Sequence, residues 1–237
     1  QSPTIRLFLI GILILILLIP SGMIQDLIYE RETNHNNAVN EISDKWGKDQ
    51  TLCGPVLAIP YVETRIDEKG KGYNVNTYAY YLPDDLEVTG NMQSEKRHRG
   101  IYEAVLYETK LQISGRFTEG FMNIMPALPA NARLSEARLL LGITDVRGIR
   151  NKVEMKWDSA TLKAEPGVES EILSNGISFP LGNLNFQTGG RFSFELNVAG
   201  SQSLYFTPVG KNNLVKIASN WATPSFDGAF LPTTHTE

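Results

Sequence analysis

The 237-residue chain has one cysteine, Cys53, and three histidines. A single cysteine excludes a disulfide framework, and His35, His98 and His235 lie too far apart in sequence for the spacing of a zinc site. Lysine and arginine (22) do not exceed aspartate and glutamate (26), so the broad cationic surface of a nucleic-acid-binding protein is missing. The composition therefore predicts no metal or other cofactor and no nucleic-acid partner.

Catalytic sequence motifs are missing as well. The chain has no Gly-x-Ser-x-Gly elbow, no Ser-x-x-Lys pair, no phosphate-binding Gly-x-x-x-x-Gly-Lys loop and no Gly-x-Gly-x-x-Gly turn. We therefore expect that the protein is not an enzyme. A site assembled from distant residues stays open as an alternative, and Asp145, Arg147 and Glu195 are its candidates.

One apolar segment stands out near the N-terminus. From Leu7 to Ile24 the only polar side chain is that of Ser21. As a helix these 18 positions span roughly 27 Å, close to the hydrocarbon thickness of about 30 Å. We predict a transmembrane helix over residues 5–24 in contact with the lipid bilayer. A cleaved signal peptide is the alternative, but no small-x-small cleavage site follows the segment.

The charges beside this segment predict its orientation. Arg6 is the only cation before it, whereas Asp26, Glu30, Arg31 and Glu32 follow it. The positive-inside rule then places the N-terminus in the cytoplasm and the rest of the chain outside it. The sequence has no Asn-x-Ser/Thr glycosylation site, which favours a bacterial inner membrane with a periplasmic domain over a eukaryotic lumen.

Residues 25–47 have apolar side chains mostly three or four positions apart, which predicts an amphipathic helical stalk. Its polar face carries charges of both signs. We expect this helix to lie on the following domain; a membrane-surface element and a partner-binding stalk are the alternatives.

From residue 54 to residue 237 the apolar period changes from three and four to two, which predicts a β-rich domain. The clearest alternation runs over residues 101–117. Further strands are predicted at residues 56–63, 73–82, 137–143, 153–157, 192–198, 203–206 and 214–218. The prediction is a mainly β fold in which antiparallel sheets pack face to face as in a β-sandwich, with residues 191–219 forming a three-stranded meander.

Two charged groups are candidates for interaction. Asp145 and Arg147 occupy alternate positions and would face one side of a strand, where a structural ion pair is favoured over a ligand site. The basic run from Lys96 to Arg99 is interpreted as an exposed hairpin edge, with anionic lipid or lipopolysaccharide as its alternative partner.

Several blocks, in this order, resemble the family of inner-membrane proteins called CreD, also known as cell-envelope integrity proteins. They are residues 24–31, 38–50 (with Trp46-Gly47), 52–60, 81–83, 99–102, 115–117, 144–149 and 221–232. The resemblance implies a large periplasmic domain between a first membrane helix and later ones, and a role in envelope integrity and in envelope stress under two-component control. It implies no catalytic residues. Because the chain stops at Glu237, before those later helices, it resembles a truncated product or fragment.

The expected function is therefore binding of an envelope protein, lipid or wall component, with Arg99, Trp221 and Phe226 in the surface blocks to examine first. An envelope-modifying enzyme is the first alternative. The second is a glycan- or peptidoglycan-binding module, which would need exposed rings from Tyr78, Tyr80 or Trp221 along a groove.

Overall fold

The computed structural model describes residues 3–121 and 128–234. The last three residues of the predicted domain, including His235, lie outside this range. The first element is one α-helix, α1 (Pro3–Trp46), which contains both the apolar segment and the amphipathic segment and continues through Pro20. Its most apolar 18-residue window has a mean hydropathy of 2.8 and is not buried by the rest of the protein. By length and composition α1 can therefore cross a membrane.

Twelve strands follow in the described part of the chain. They are β1 (Gln50–Ile66), β2 (Gly72–Tyr81), β3 (Asp85–Arg99), β4 (Tyr102–Phe117), β5 (Arg138–Ile143), β6 (Glu154–Trp157), β7 (Ala160–Lys163), β8 (Glu165–Pro166), β9 (Gly176–Pro180), β10 (Gly190–Ser201), β11 (Leu204–Thr207) and β12 (Asn212–Ser219).

The strands form two six-stranded sheets. The first sheet has the order β11-β1-β5-β9-β8, with β2 paired to the second half of β1, and the second has the order β12-β3-β4-β10-β6-β7. All the pairs are antiparallel except β1 with β11 and β3 with β12. The predicted mainly β fold, with antiparallel-rich sheets behind an apolar N-terminal helix, is confirmed.

The core lies between the two sheets. Leu111 and Ile113 of β4 belong to the same buried cluster as Leu139 and Leu141 of β5. From Tyr107 to Ile113 the odd-numbered positions of β4 are buried and the even-numbered positions are exposed, which explains the alternating sequence of this stretch. At one end of the core Trp157 stacks on both Phe117 and Phe192, whose own rings are tilted by 47° relative to each other.

The predicted meander of residues 191–219 is wrong. β10 lies in the second sheet, β11 crosses to the first sheet beside β1, and β12 returns to the second sheet beside β3. The crossing occurs at Gln202, which has a left-handed φ of 60°. The turn residues predict where the strands end, but they carry no information about which sheet receives the next strand.

The second half of α1 lies along the second sheet, against β4 and also β10 and β3. Ala38 and Ser43 are buried there, whereas Ile24, Leu27 and Ile28 are exposed. The ring of His35 meets that of Tyr102 edge-on, with centroids 5.8 Å apart. The amphipathic segment thus rests on the domain near its end and stands free nearer the membrane segment.

Candidate functional site at the junction of the helix and the sheets

The end of α1 is fixed to the second sheet by Trp46. Its indole Nε1 donates a hydrogen bond to the carbonyl oxygen of Tyr107 at 3.2 Å. The guanidinium of Arg150 lies 5.3 Å from the centre of the indole ring and donates through Nη2 to the Trp46 carbonyl oxygen at 2.5 Å. These contacts join the last turn of the membrane helix to two segments distant in sequence.

A buried amide, that of Gln50, continues the junction into the first strand. Its Nε2 donates to the carbonyl oxygens of Asp145 and Ala199, both at 3.1 Å, and its Oε1 accepts from the backbone N–H of Asp145 at 3.2 Å. Gln50 has no exposed surface. A buried amide with these partners links both sheets to the loop after β5 and stabilises their arrangement.

Asp145 and Arg147 form the charged part of the junction. They lie at a 3₁₀ turn over Val146–Gly148, not on a strand as predicted, because the Asp145 carboxylate caps the turn by accepting from the Arg147 N–H at 3.1 Å. The same carboxylate accepts from Nε and Nη2 of Arg147, each at 2.9 Å, and from the N–H of Lys48 at 3.3 Å. The predicted pairing of the two side chains is confirmed.

This pairing sets the protonation of the site. The hydrogen bonds from Arg147 outweigh the opposing effect of burial and hold the pKa of Asp145 below its ordinary value. Asp145 is therefore ionised at neutral pH and is not a proton donor. Arg147 also contacts Asp44 of α1, with Nη2 4.0 Å from Oδ1. The Asp145–Arg147 pair therefore has an ionic contact with the helix as well.

Glycines allow the segments of the junction to approach closely. A Cβ on Gly148 would lie 2.4 Å from the carbonyl oxygen of Ala199, and a Cβ on Gly47 would lie 2.5 Å from the same atom. Gly200 is covered by the Tyr107 hydroxyl, which itself donates to Ser203 O at 2.7 Å. Side chains at these positions would separate the helix from the sheets.

Arg99 lies at the end of β3, where its guanidinium forms an ion pair with Glu41 of α1. Both side chains are about half exposed. This second contact lies nearer the apolar segment than the Trp46 contact, and because both side chains are half exposed it adds little to the hold of Trp46.

Trp221 and Phe226 lie away from the junction, on the segment after β12. The ring of Trp221 is half-buried, 5.6 Å from Lys96 Nζ, and Phe226 is 50% exposed. The structure therefore brings Asp145 and Arg147 together, places Arg99 and Trp221 near the end of the β3–β4 hairpin, and leaves Phe226 on the surface.

The assembled catalytic site considered from the sequence would need carboxylates in a proton-donating state. Glu195 is exposed on β10, and its backbone carbonyl accepts from Asn151. Asp145 is held ionised by Arg147, which is the opposite of the raised pKa expected of a general acid. Within residues 3–121 and 128–234 no three metal-binding side chains come together.

The aromatic residues considered for glycan binding are divided between two places. Tyr78 and Tyr80 are half-buried on the outer face of the first sheet, where they pack with Ala58, Leu140 and Leu173. Their hydroxyls are hydrogen-bonded to Glu169 and Ser170 respectively. Trp221 is on the other sheet, so these three rings do not line one groove.

A cavity of about 410 Å³ lies on this outer face of the first sheet. Tyr78, Arg133, Glu136 and Arg138 are among the residues that line it. Charged, hydroxyl and aromatic groups together suit a polar ligand, which makes this cavity the second candidate site.

The sequence analysis singles out four residues of the junction, Trp46, Gly47, Asp145 and Arg147, but not Gln50, whose amide links the sheets. It misses Gln50 because one uncharged polar residue before a strand gives no periodic signal. The sequence indications of Gln50 are its place at the end of the block 38–50, which resembles the family, and the strand that begins at this polar side chain.

The protein-family model described as inner membrane protein CreD matches residues 2–236. The chain belongs to the CreD family. It is 29% identical over 223 residues to the inner membrane protein CreD of Escherichia coli (strain K12), covering 92% of this chain and 49% of that protein. The chain thus spans about half the length of this curated relative. No solved structure matches the chain.

Membership of the CreD family places α1 in an inner membrane, since the family is one of inner membrane proteins. Two of the sequence blocks that resemble the family, Trp46-Gly47 and residues 144–149, meet at the junction. Part of the family resemblance therefore lies where α1 joins the sheets.

Proposed function

We propose that this CreD-family chain is a membrane-anchored periplasmic domain that supports the integrity of the cell envelope and its response to envelope stress. In this proposal it binds an envelope protein, lipid or wall component and does not catalyse a reaction. The observation that carries the proposal is the continuity of α1, which passes from an exposed apolar segment into a helix end fixed to the second sheet. Such a mount holds a binding surface in a constant position relative to the helix that carries the apolar segment.

The chemistry of the junction supports binding over catalysis. Its buried carboxylate is neutralised by an arginine and its buried amide is fully hydrogen-bonded, so neither group is available for proton transfer. The cavity on the outer face of the first sheet is lined by charged, hydroxyl and aromatic groups, which suits binding of a polar envelope component.

The periplasmic orientation can be tested by cysteine accessibility. In a Cys53→Ser background of the full chain, a cysteine at the exposed residue Lys69 in the β1–β2 turn should react with a membrane-impermeant maleimide in cells whose outer membrane alone is opened. Protection of Lys69→Cys until the inner membrane is lysed would refute the orientation. A cytoplasmic cysteine protein, unlabelled until lysis, is the control.

Binding can be tested by photo-crosslinking in cells. A photoreactive side chain at Glu136, on the rim of the cavity, should capture a defined envelope component, whereas one at Lys110, exposed on the outer face of β4, should not. Equal capture from both positions, or none from Glu136, would count against a binding role for this cavity.

A further inference from the structure

The helix and β4 run in the same direction away from the membrane. Tyr102, at the start of β4, lies beside His35, and Tyr107 lies beside Trp46. Since α1 leaves the apolar segment at Ile24 and proceeds to Trp46, the start of β4 points back to the bilayer. The β3–β4 hairpin therefore presents its tip to the membrane surface.

The tip lies close to the headgroups. His35 follows Ile24 by eleven residues, which is roughly 16 Å along a helix. The headgroup layer takes up roughly 6 Å of this distance. The remaining gap of roughly 10 Å is about one Debye length at physiological ionic strength, and arginine side chains extend into it.

The chemistry of the tip suits an anionic surface. Gly100 and Ile101 form a two-residue loop between the paired residues Arg99 and Tyr102, with Gly100 at a left-handed φ of 61°. Ile101 is 79% exposed. Arg97 and Arg99, beside Ile101, are about half exposed, and so are their ion-pair partners, Glu95 and Glu41. Because exposed ion pairs are weak, each arginine can exchange its carboxylate for a phosphate.

A second element reaches the same end of the domain. β12 is parallel to β3 and in register up to Ser219 opposite Met92, so the segment after it leaves toward the hairpin tip. Trp221 meets Lys96 there, and the exposed side chains of Phe230 and Leu231 follow. Aromatic and basic side chains together are typical of the membrane interface.

We propose that the β3–β4 hairpin tip, defined as residues 97–101, binds the anionic phospholipid headgroups of the bilayer that α1 crosses. A tilt of α1 of the size common in membrane helices closes this gap, so that Arg97 and Arg99 bind the phosphates and Ile101 enters the headgroup layer. This contact fixes the tilt of the sheet domain over the membrane, and it holds in whichever compartment the domain lies.

The experiment uses the full chain in lipid nanodiscs, in the Cys53→Ser background, with an environment-sensitive fluorophore on Ile101→Cys. Brominated lipids should quench this fluorophore in nanodiscs containing phosphatidylglycerol, and added salt should weaken the quenching. Replacing Arg97 and Arg99 by Gln should reduce the docking constant roughly fivefold per arginine. Lys110→Gln removes the same charge farther along β4 and should leave the quenching unchanged.

A fluorophore on Glu119→Cys is the positional control. Glu119 follows β4 at the far end of the hairpin, roughly 50 Å from the tip along the strand, and should not be quenched. Equal quenching at Ile101 and Glu119 would overturn the proposal, as would quenching at Ile101 that is the same in purely zwitterionic nanodiscs or unaffected by the arginine substitutions. A response of the Ile101 probe to inorganic phosphate in detergent, without a bilayer effect, would show a free-anion site and would also overturn it.

Discussion

At the scale of single residues, Asp84 is a buried carboxylate that links three segments of the second sheet. It accepts hydrogen bonds from the N–H and hydroxyl of Thr118 at 2.8 and 2.7 Å, and Lys211 Nζ pairs with it. Burial alone would raise the pKa of Asp84, but these contacts lower it to about 2. The carboxylate thereby connects the loop before β3 to the end of β4 and to the start of β12.

Asp84→Asn should therefore lower the free energy of unfolding by about 2 kcal/mol at pH 7. Because the folded pKa is below the ordinary value near 4, this contribution is complete above pH 4 and disappears as the pH falls toward 2. Denaturant unfolding of the detergent-solubilised chain between pH 2 and 7 measures the loss and its pH dependence. Asp85→Asn, which changes the exposed neighbouring carboxylate, should have a smaller effect; equal losses would argue against the assignment.

Gly148 is a residue whose missing side chain holds the junction closed. Gly148→Ala would place a Cβ against the Ala199 carbonyl oxygen and the Gln50 amide, and it should cost about 2 kcal/mol of unfolding free energy. Gly72→Ala, where the new Cβ would meet only Thr64 Cγ2 at 3.6 Å, is the matched control. If thermal melts of the two variants coincide, the close approach at Gly148 has no energetic importance.

At the scale of elements, the mount of α1 depends on Trp46. Trp46→Ala removes the hydrogen bond to Tyr107 and the ring under Arg150, which should weaken docking of the helix end by about 2 kcal/mol. Trypsin cleavage after Lys45 and Lys48 tracks opening of this segment and should become roughly 30-fold faster. Trp221→Ala, which removes an indole outside the junction, is the control. If cleavage after Lys45 and Lys48 is accelerated equally in this variant, the cause is a general loss of stability and not undocking of the helix end.

Elements whose burial is periodic can be predicted from the sequence, and the others cannot. The alternation over residues 101–117 and 192–198 is clear enough to predict β4 and the middle of β10, although Ala104 and Leu106 of β4 are also buried. Apart from its end, Lys96 to Arg99, which is predicted as a hairpin edge, β3 escapes prediction because after Val88 its side chains are mainly polar. It is held by backbone pairing to β4 and β12 and has little core contact of its own. β9 escapes prediction because five residues, mostly buried, show no alternation.

The same limit applies to the candidate site: contacts between residues close in sequence can be predicted, and contacts between distant elements cannot. Asp145 and Arg147 are two positions apart, so their pairing follows from local geometry alone. Their meeting with Gln50 and Trp46 depends on how β1, β5 and β10 are assembled, which no local pattern encodes. The position of Arg99 beside Glu41 likewise depends on α1 lying along β4.

At the scale of the whole molecule, β12 closes the edge of the second sheet after the chain has crossed both sheets. It covers β3 over eight residue pairs, packs Ile217 next to Gly90, and brings Lys211 to Asp84. The segment after Ser219 is largely exposed, and its contacts include the bonds between Asn220 and Ser94 and the approach of Trp221 to Lys96. The folded state should therefore depend on β12 and only weakly on the residues after Ser219.

Two truncations of this chain separate these contributions. Ending the chain after Ser219 should leave the unfolding free energy nearly unchanged. Ending it after Val209 removes β12 and Lys211 and should cost at least about 3 kcal/mol, since the buried carboxylate of Asp84 loses its lysine partner and apolar surface of β3 is uncovered. Denaturant unfolding in detergent compares the two. If the shorter chain unfolds at the same midpoint as the longer one, β12 is an accessory strand and the two-sheet core is complete without it.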